Sequence, residues 1–166
     1  SSECDITWRY RNAYHYFDGM QYDCILFIEN DDYYAPNYIE TMVNTWIYAD
    51  KPEIFGTGYT IYYHIGMLKH HTLNHTRRAS AMNTLIKPDL KINWGKDNYP
   101  YTDIVLWEQL EGITFIPEKP ISIGIKHNIG MSGGHYHSTK LERYENLDSN
   151  MEFLSSIVDK DSIEFY

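Results

Sequence analysis

Apolar and polar positions along this chain change period several times. Ile6, Tyr10, Ala13, Tyr14 and Phe17 recur at helical spacing, and Asp18-Gly19 closes that segment. Cys24 to Ile28 is a short apolar run rich in β-formers and reads as a strand. Pro36 opens a second helix through Ala49, with Ile39, Met42, Val43, Trp46 and Ile47 as its expected core stripe. Residues 53–65 read as a strand or a bent strand pair, broken by Gly56 and Gly58. Residues 66–80 are the most polar and basic part of the chain and are expected to form an exposed loop. Ser80 to Ile86 reads as a short helix, 87–94 follows no single period, and 95–100 is a turn-rich loop. A third helix starts at a Thr102 or Asp103 cap, presents Ile104, Val105, Trp107 and Leu110, and stops at Gly112. Two short strands follow, Ile113 to Ile116 and Ile121 to Ile125. The polar tail from His137 holds one amphipathic segment, Met151 to Val158, expected to dock on the body. There is no internal repeat, low-complexity tract or linker, so residues 1–166 are expected to form one mixed α/β domain.

Composition narrows the partners. A formal net charge of -9 argues against broad nucleic-acid or anionic-membrane binding by charge alone. It leaves a nucleotide ligand open, because a bound metal reverses the local field. Cys4 and Cys24 make no disulfide framework, and Cys24 is expected to be a small buried hydrophobe. No transmembrane stretch and no signal peptide are visible, so a reducing, cytoplasmic location is expected. The sequon Asn74-His75-Thr76 is then accidental. The 16 tyrosines would suit sugar or base contacts, but their diffuse spread favours compositional bias.

The chemistry concentrates in Tyr22 to Pro36, YDCILFIENDDYYAP, where a strand runs into Glu29, Asp31 and Asp32. In open α/β sheets ligands bind beyond the carboxyl ends of strands. On an extended chain Glu29 and Asp31 point to the same side and repel unless a cation or proton relieves them. Mg²⁺ and Mn²⁺ take such oxygen ligands, often together with substrate phosphates. Asp103 is either a helix cap or, with the upstream acids, a general base. His70, His71 and His75 could bind metal, but their spacing fits no zinc pattern and a solvated basic loop is favoured. No P-loop and no GxGxxG occur.

A strand, acid-x-Asp-Asp, then aromatics and a proline entering a helix, resembles the metal-binding segment of GT-A glycosyltransferases, above all the family-two inverting enzymes. The likeness spans about residues 8 to 137. It implies a GT-A-like mixed sheet flanked by helices. Complete domains of that kind carry two or more β-α units before the metal strand. Only one helix stands there, so part of the N-terminal nucleotide-binding half is expected to be lacking, or supplied by a longer chain. The resemblance implies Mn²⁺ or Mg²⁺ held by Asp31 with Glu29 or Asp32, Glu29 alternatively facing the ribose. It implies Asp103 as the catalytic base, with Thr102 in place of the family's usual Glu. His127 would complete the metal or diphosphate site, with Lys126 near a phosphate and Arg11-Asn12 standing where an Arg-Asn pair precedes the metal strand. Gly130 to Gly134 would approach the ligand or act as a lid, with His135 and His137 as alternative ligands. The 66–80 loop would lie near acceptor or phosphate contacts.

The implied function is metal-dependent transfer, with inversion, of a sugar from a nucleotide-diphosphate donor, UDP-sugars foremost, to a carbohydrate or glycan hydroxyl. The alternative is a GT-A-like module that binds sugar or a partner without turnover. Two other enzyme classes stay open: a metal-free glycoside hydrolase using two carboxylates, and a hydrolase using a metal at the histidine cluster.

Overall fold

The computed structural model describes residues 5–17, 20–127 and 141–166. Helix α1 spans Ile6–Tyr16, and β1 (Ile25–Leu26) and β2 (Tyr33–Tyr34) flank the acidic segment. Helix α2 (Tyr38–Tyr48) leads to β3 (Ile54–Thr57), β4 (Tyr59–His64), β5 (Lys69–Asn74) and β6 (Thr84–Ile86). Then come α3 (Thr102–Gln109), β7 (Gly112–Phe115), β8 (Ser122–Lys126), β9 (Asn146–Leu147), α4 (Glu152–Ile157) and α5 (Lys160–Ile163). The strands form two mixed sheets, β1-β6-β3-β7 and β2-β8-β4-β5-β9. β3 pairs parallel with β7 and β4 parallel with β8, while the other pairings are antiparallel.

β3 and β4 are nearly continuous, yet they belong to different sheets. The chain crosses between sheets at Gly58, whose N–H donates to the Phe115 carbonyl at 3.0 Å. A Cβ there would run into the His75 carbonyl oxygen, and one at Gly56 would meet the Asn83 carbonyl oxygen and Ala79. Both glycines therefore let backbones approach closely.

Strand alternation sorts the core. In the first sheet Ile54 and Ile86 face Tyr14 of α1, with Phe27, Trp94 and Leu106. Phe55 and Leu85, one residue away, face Tyr38, Met42 and Trp46 of α2. In the second sheet Ile61, Tyr63, Ile123 and Ile125 pack under Leu154 and Val158 at α4. Asp148 ties α4 down: its carboxylate accepts from the N–H of Phe153 at 3.0 Å and of Leu154 at 3.1 Å, and from the Tyr63 hydroxyl at 3.0 Å. The Met151 to Val158 segment thus docks as its amphipathic pattern predicts. The opposite face of this sheet, carrying Tyr62 and Lys126, is turned to a pocket.

Several expectations need correction. The stretch 66–80 is not simply an exposed loop: it contains β5, and His71 is buried, because polar residues on β5 alternate into a pocket rather than into solvent. In α2 the buried stripe is Tyr38, Met42 and Trp46, whereas Ile39 and Ile47 stand on the outer side, 58% and 49% exposed. Residues 80–86 make a 3-10 turn, Ala81–Asn83, and then strand β6. Neither Thr102 nor Asp103 caps α3: Tyr101 occupies that position without a side-chain cap bond, and Gly112 opens β7 instead of ending the helix. The two late strands lie in different sheets. Cys24 is half-buried rather than fully buried, and burial pushes its thiol pKa up. Among the described residues no helix is long and apolar enough to cross a membrane.

Candidate functional site

The acidic segment sits where the chain leaves the first sheet and enters the second. After β1 the chain turns through residues 29–32, and the Asp32 N–H reaches the Glu29 carbonyl at 3.4 Å. The acids therefore converge through a turn, not through alternation along an extended strand. Oxygens from Glu29, Asp31 and Asp32 all lie within 4.8 Å of one another.

Each carboxylate has a different setting. Asp32 is buried, and its Oδ1 accepts the Ile125 N–H at 2.8 Å and lies 3.7 Å from the Lys126 ammonium. Burial pushes its pKa up to about 7; Lys126 pulls the other way, and Glu29 and Asp31 push it further up. Burial likewise raises the pKa of Glu29, against the pull of Lys126 and with a further push from Asp31. The Tyr10 hydroxyl donates to Glu29 Oε1 at 3.2 Å, and the Glu29 N–H donates to the Tyr34 hydroxyl at 2.8 Å. Asp31 is exposed, with Oδ2 3.5 Å from His127 Nε2.

This donor set fits a hard divalent cation. Three carboxylates share one small volume, and buried Asp32 Oδ2 has no hydrogen-bond partner. Opposite ligands of a Mg²⁺-sized ion stand about 4.2 Å apart, so the 4.8 Å spread needs only a small contraction. Lys126 occupies Oδ1 and leaves Oδ2 of the same carboxylate for a ligand.

Beside this turn lies a pocket of about 210 Å³, into which Glu29, Lys126, Asp103 and Arg78 all project. Residues far apart in sequence meet here because α3 approaches the polar face of the second sheet. Asp103 forms an ion pair with Arg78. Thr102 bonds the Thr7 hydroxyl at 2.7 Å, fixing the start of α3 to α1. The pocket floor is a ladder of rings: the Lys126 ammonium is 5.4 Å from the Tyr62 ring centroid, Tyr62 stacks on His71 at 5.4 Å, and His71 meets Tyr144 edge-on at 4.5 Å. The Tyr62 hydroxyl also bonds Ser80 at 3.1 Å.

The structure thus brings Glu29, Asp31, Asp32, Lys126 and His127 together, with Asp103 in the adjoining pocket. Arg11 is not brought to the acidic turn: it pairs with Asp97 at 2.5 Å. Asn12 donates to the Trp8 carbonyl within α1. Among the described residues Glu29, Asp31 and Asp32 are the one grouping of three acidic, histidine or cysteine ligands, and His70, His71 and His75 make none. Gly130 to Gly134, His135, His137 and Cys4 lie outside the described residues. Sequence reasoning missed Tyr62 and Arg143 as pocket residues, whereas Arg78 belongs to the 66–80 stretch expected near acceptor or phosphate contacts. The alternation of His71, Leu73 and His75 was a usable signal, since residues two apart on a strand share a face.

No family model matches the chain, and neither does any curated protein or solved structure. What the molecule offers is a mixed α/β fold with an acidic cluster able to coordinate a divalent cation. Any narrower reading rests on the geometry of the site.

Proposed function

We propose that this chain takes part in metal-dependent transfer of a sugar from a nucleotide-diphosphate donor to an acceptor hydroxyl, with inversion at the anomeric carbon, as a single GT-A-like domain over residues 1–166. One observation carries the reading: Glu29 of the acidic turn, Lys126 beside it and Asp103 of α3 line one pocket. Glu29 belongs to a candidate cation site, Lys126 flanks it, and Asp103 is a carboxylate placed to take a proton.

In this reading Asp31 and Asp32 hold the cation, with Glu29 and His127 beside it. A bound Mn²⁺ or Mg²⁺ supplies charge neutralisation for a departing diphosphate. Lys126 places a further positive charge at the edge of that site. Asp103 accepts the proton of the attacking hydroxyl, and Arg78 orients its carboxylate. The stacked Tyr62 and His71 rings form a rigid aromatic floor over which a sugar ring can lie. Glu29, held by Tyr10 and the Tyr34 hydroxyl, is fixed in place whether it serves the cation or the ribose.

A second reading, a binding module without turnover, draws on the Arg78–Asp103 ion pair, which occupies the intended base, and on Thr102 standing where the family has Glu.

Calorimetric titration of UDP and other nucleoside diphosphates, with and without Mn²⁺, tests the donor site. Metal-dependent binding to the native chain that disappears in Asp31→Asn is expected. Nucleotide binding that ignores both Mn²⁺ and Asp31 would refute the metal-site assignment. Metal-dependent binding with no hydrolysis or transfer of any UDP-sugar would select the binding module.

A further inference from the structure

The side of the pocket away from the acidic turn carries cationic and imidazole groups that the transfer chemistry does not use. The sheet order runs β8-β4-β5, and strands are spaced about 4.8 Å apart, so β5 lies roughly 10 Å from β8 and its Lys126. His71 on β5 and His75 just beyond it face the pocket, and Arg143, closing the 3-10 turn Leu141–Arg143, lines it as well. Arg143 is exposed and makes no ion pair with another described residue. The pocket's own acids are engaged elsewhere: Asp103 with Arg78, and Glu29 with the Tyr10 hydroxyl beside Lys126. In a chain of net charge -9, a wall of this kind is not the general background.

We propose that Arg143 and His75 receive an anionic group, a phosphate or a carboxylate, carried by the acceptor at the end of the pocket away from the acidic turn, at least two strand spacings (about 10 Å) from it, while the acceptor's ring lies over Tyr62 and His71. A guanidinium offers paired N–H donors that match either anion, and an imidazole adds one more. Burial and the neighbouring Arg78 lower the His75 pKa, which keeps a neutral N–H donor there until an anion arrives. The distance argues against the donor diphosphate as occupant, because a diphosphate held at the acidic turn does not reach across two strands. The proposal rests on the glycosyltransferase reading only in naming the ligand as the acceptor.

The test is calorimetry on the full chain with glucose 6-phosphate, glucuronate and neutral glucose, for native protein, Arg143→Gln and His75→Gln. At least one anionic sugar is expected to bind at least tenfold more tightly than glucose. Arg143→Gln should weaken that binding roughly 10-fold or more, the scale of a lost hydrogen bond to a charged group. Preference for glucose 6-phosphate identifies a phosphate ligand, and preference for glucuronate a carboxylate. Because Arg143 is exposed, the variant should melt with the native protein, so lost binding reports the site. Equal affinity for glucose and both anionic sugars, or full anion affinity in Arg143→Gln, would overturn the proposal. Asp31→Asn, run in parallel, separates the two claims. Anion binding should survive that substitution. If UDP with Mn²⁺ fails to bind the native chain while the anionic sugar still does, the transferase reading falls and the anion site stands.

Discussion

Replacing Lys126 by Met tests how the acidic turn is held together. Lys126 is buried, its ammonium is 3.7 Å from Asp32, and it lowers the pKa of both Asp32 and Glu29. Met keeps the length of the stem and removes the charge. Breaking a buried ion pair by deleting one partner costs about 3–5 kcal/mol. For a chain of this size that is a drop of roughly 6–20 °C in melting temperature. The loss should depend on pH in a defined direction. The folded-state pKa of Asp32, about 7, stands above its ordinary 3.8. Its contribution to stability is therefore full below about pH 4 and is lost as pH rises through 7, in total roughly 4 kcal/mol. Without Lys126 that pKa climbs further, so the variant falls behind mainly at pH 7 and above. At pH 5 the protonated Asp32 carboxyl no longer needs a cation, and the deficit should close or reverse. Circular-dichroism melts of both proteins at pH 5, 6.5 and 8 measure this, and saturating Mn²⁺ at pH 8 should narrow the gap by supplying replacement charge. An equal deficit at pH 5 and pH 8 would refute the electrostatic account and assign Lys126 a packing role over Tyr62.

Three further outcomes are expected. Asp103→Asn should leave UDP–Mn²⁺ affinity unchanged and lower sugar-transfer turnover by about 10²–10⁴-fold, read from initial rates; unaltered turnover removes Asp103 as the base. Asp148→Ala should lower urea stability by roughly 2–3 kcal/mol, because three donors lose their shared acceptor and α4 loses its anchor. Gly56→Ala should destabilise by about 1–3 kcal/mol in the same assay, since the added methyl would meet Ala79 Cβ at 2.6 Å and the Asn83 carbonyl.

Much of the element order was legible because most elements here obey one period at a time. α1, α2 and the docked C-terminal segment follow helical spacing closely, and Gly56 and Gly58 announce the break between β3 and β4. The acidic turn was legible as chemistry because three carboxylates in four residues demand relief from their mutual repulsion. Its geometry was not: the backbone bond from Asp32 to Glu29, and the pairing with Lys126 some 94 positions later, depend on β8 lying beside β2. The histidine segment was misread for a related reason. Its polarity matched solvent exposure, whereas burial there is set by Tyr62 and Tyr144, which no local pattern places next to His71. Arg11 failed differently, since a helix-borne arginine reaches in many directions and Asp97 was the acid within reach. The outward-facing Ile39 and Ile47 show that a stripe of five apolar residues can be wider than the groove that receives it.

The two faces of β8 carry a consequence for folding fidelity. Ile123 and Ile125 lie in the apolar core, while Gly124 and Lys126 occupy the other side. A slip of one residue against β4 would drive the lysine into the hydrocarbon beneath α4 and expose two isoleucines. The charge that steadies the acidic turn therefore also penalises the misaligned sheet. A chain that loses Lys126 would give up a proofreading device along with a site residue, and should populate misregistered states during refolding that the native sequence rejects.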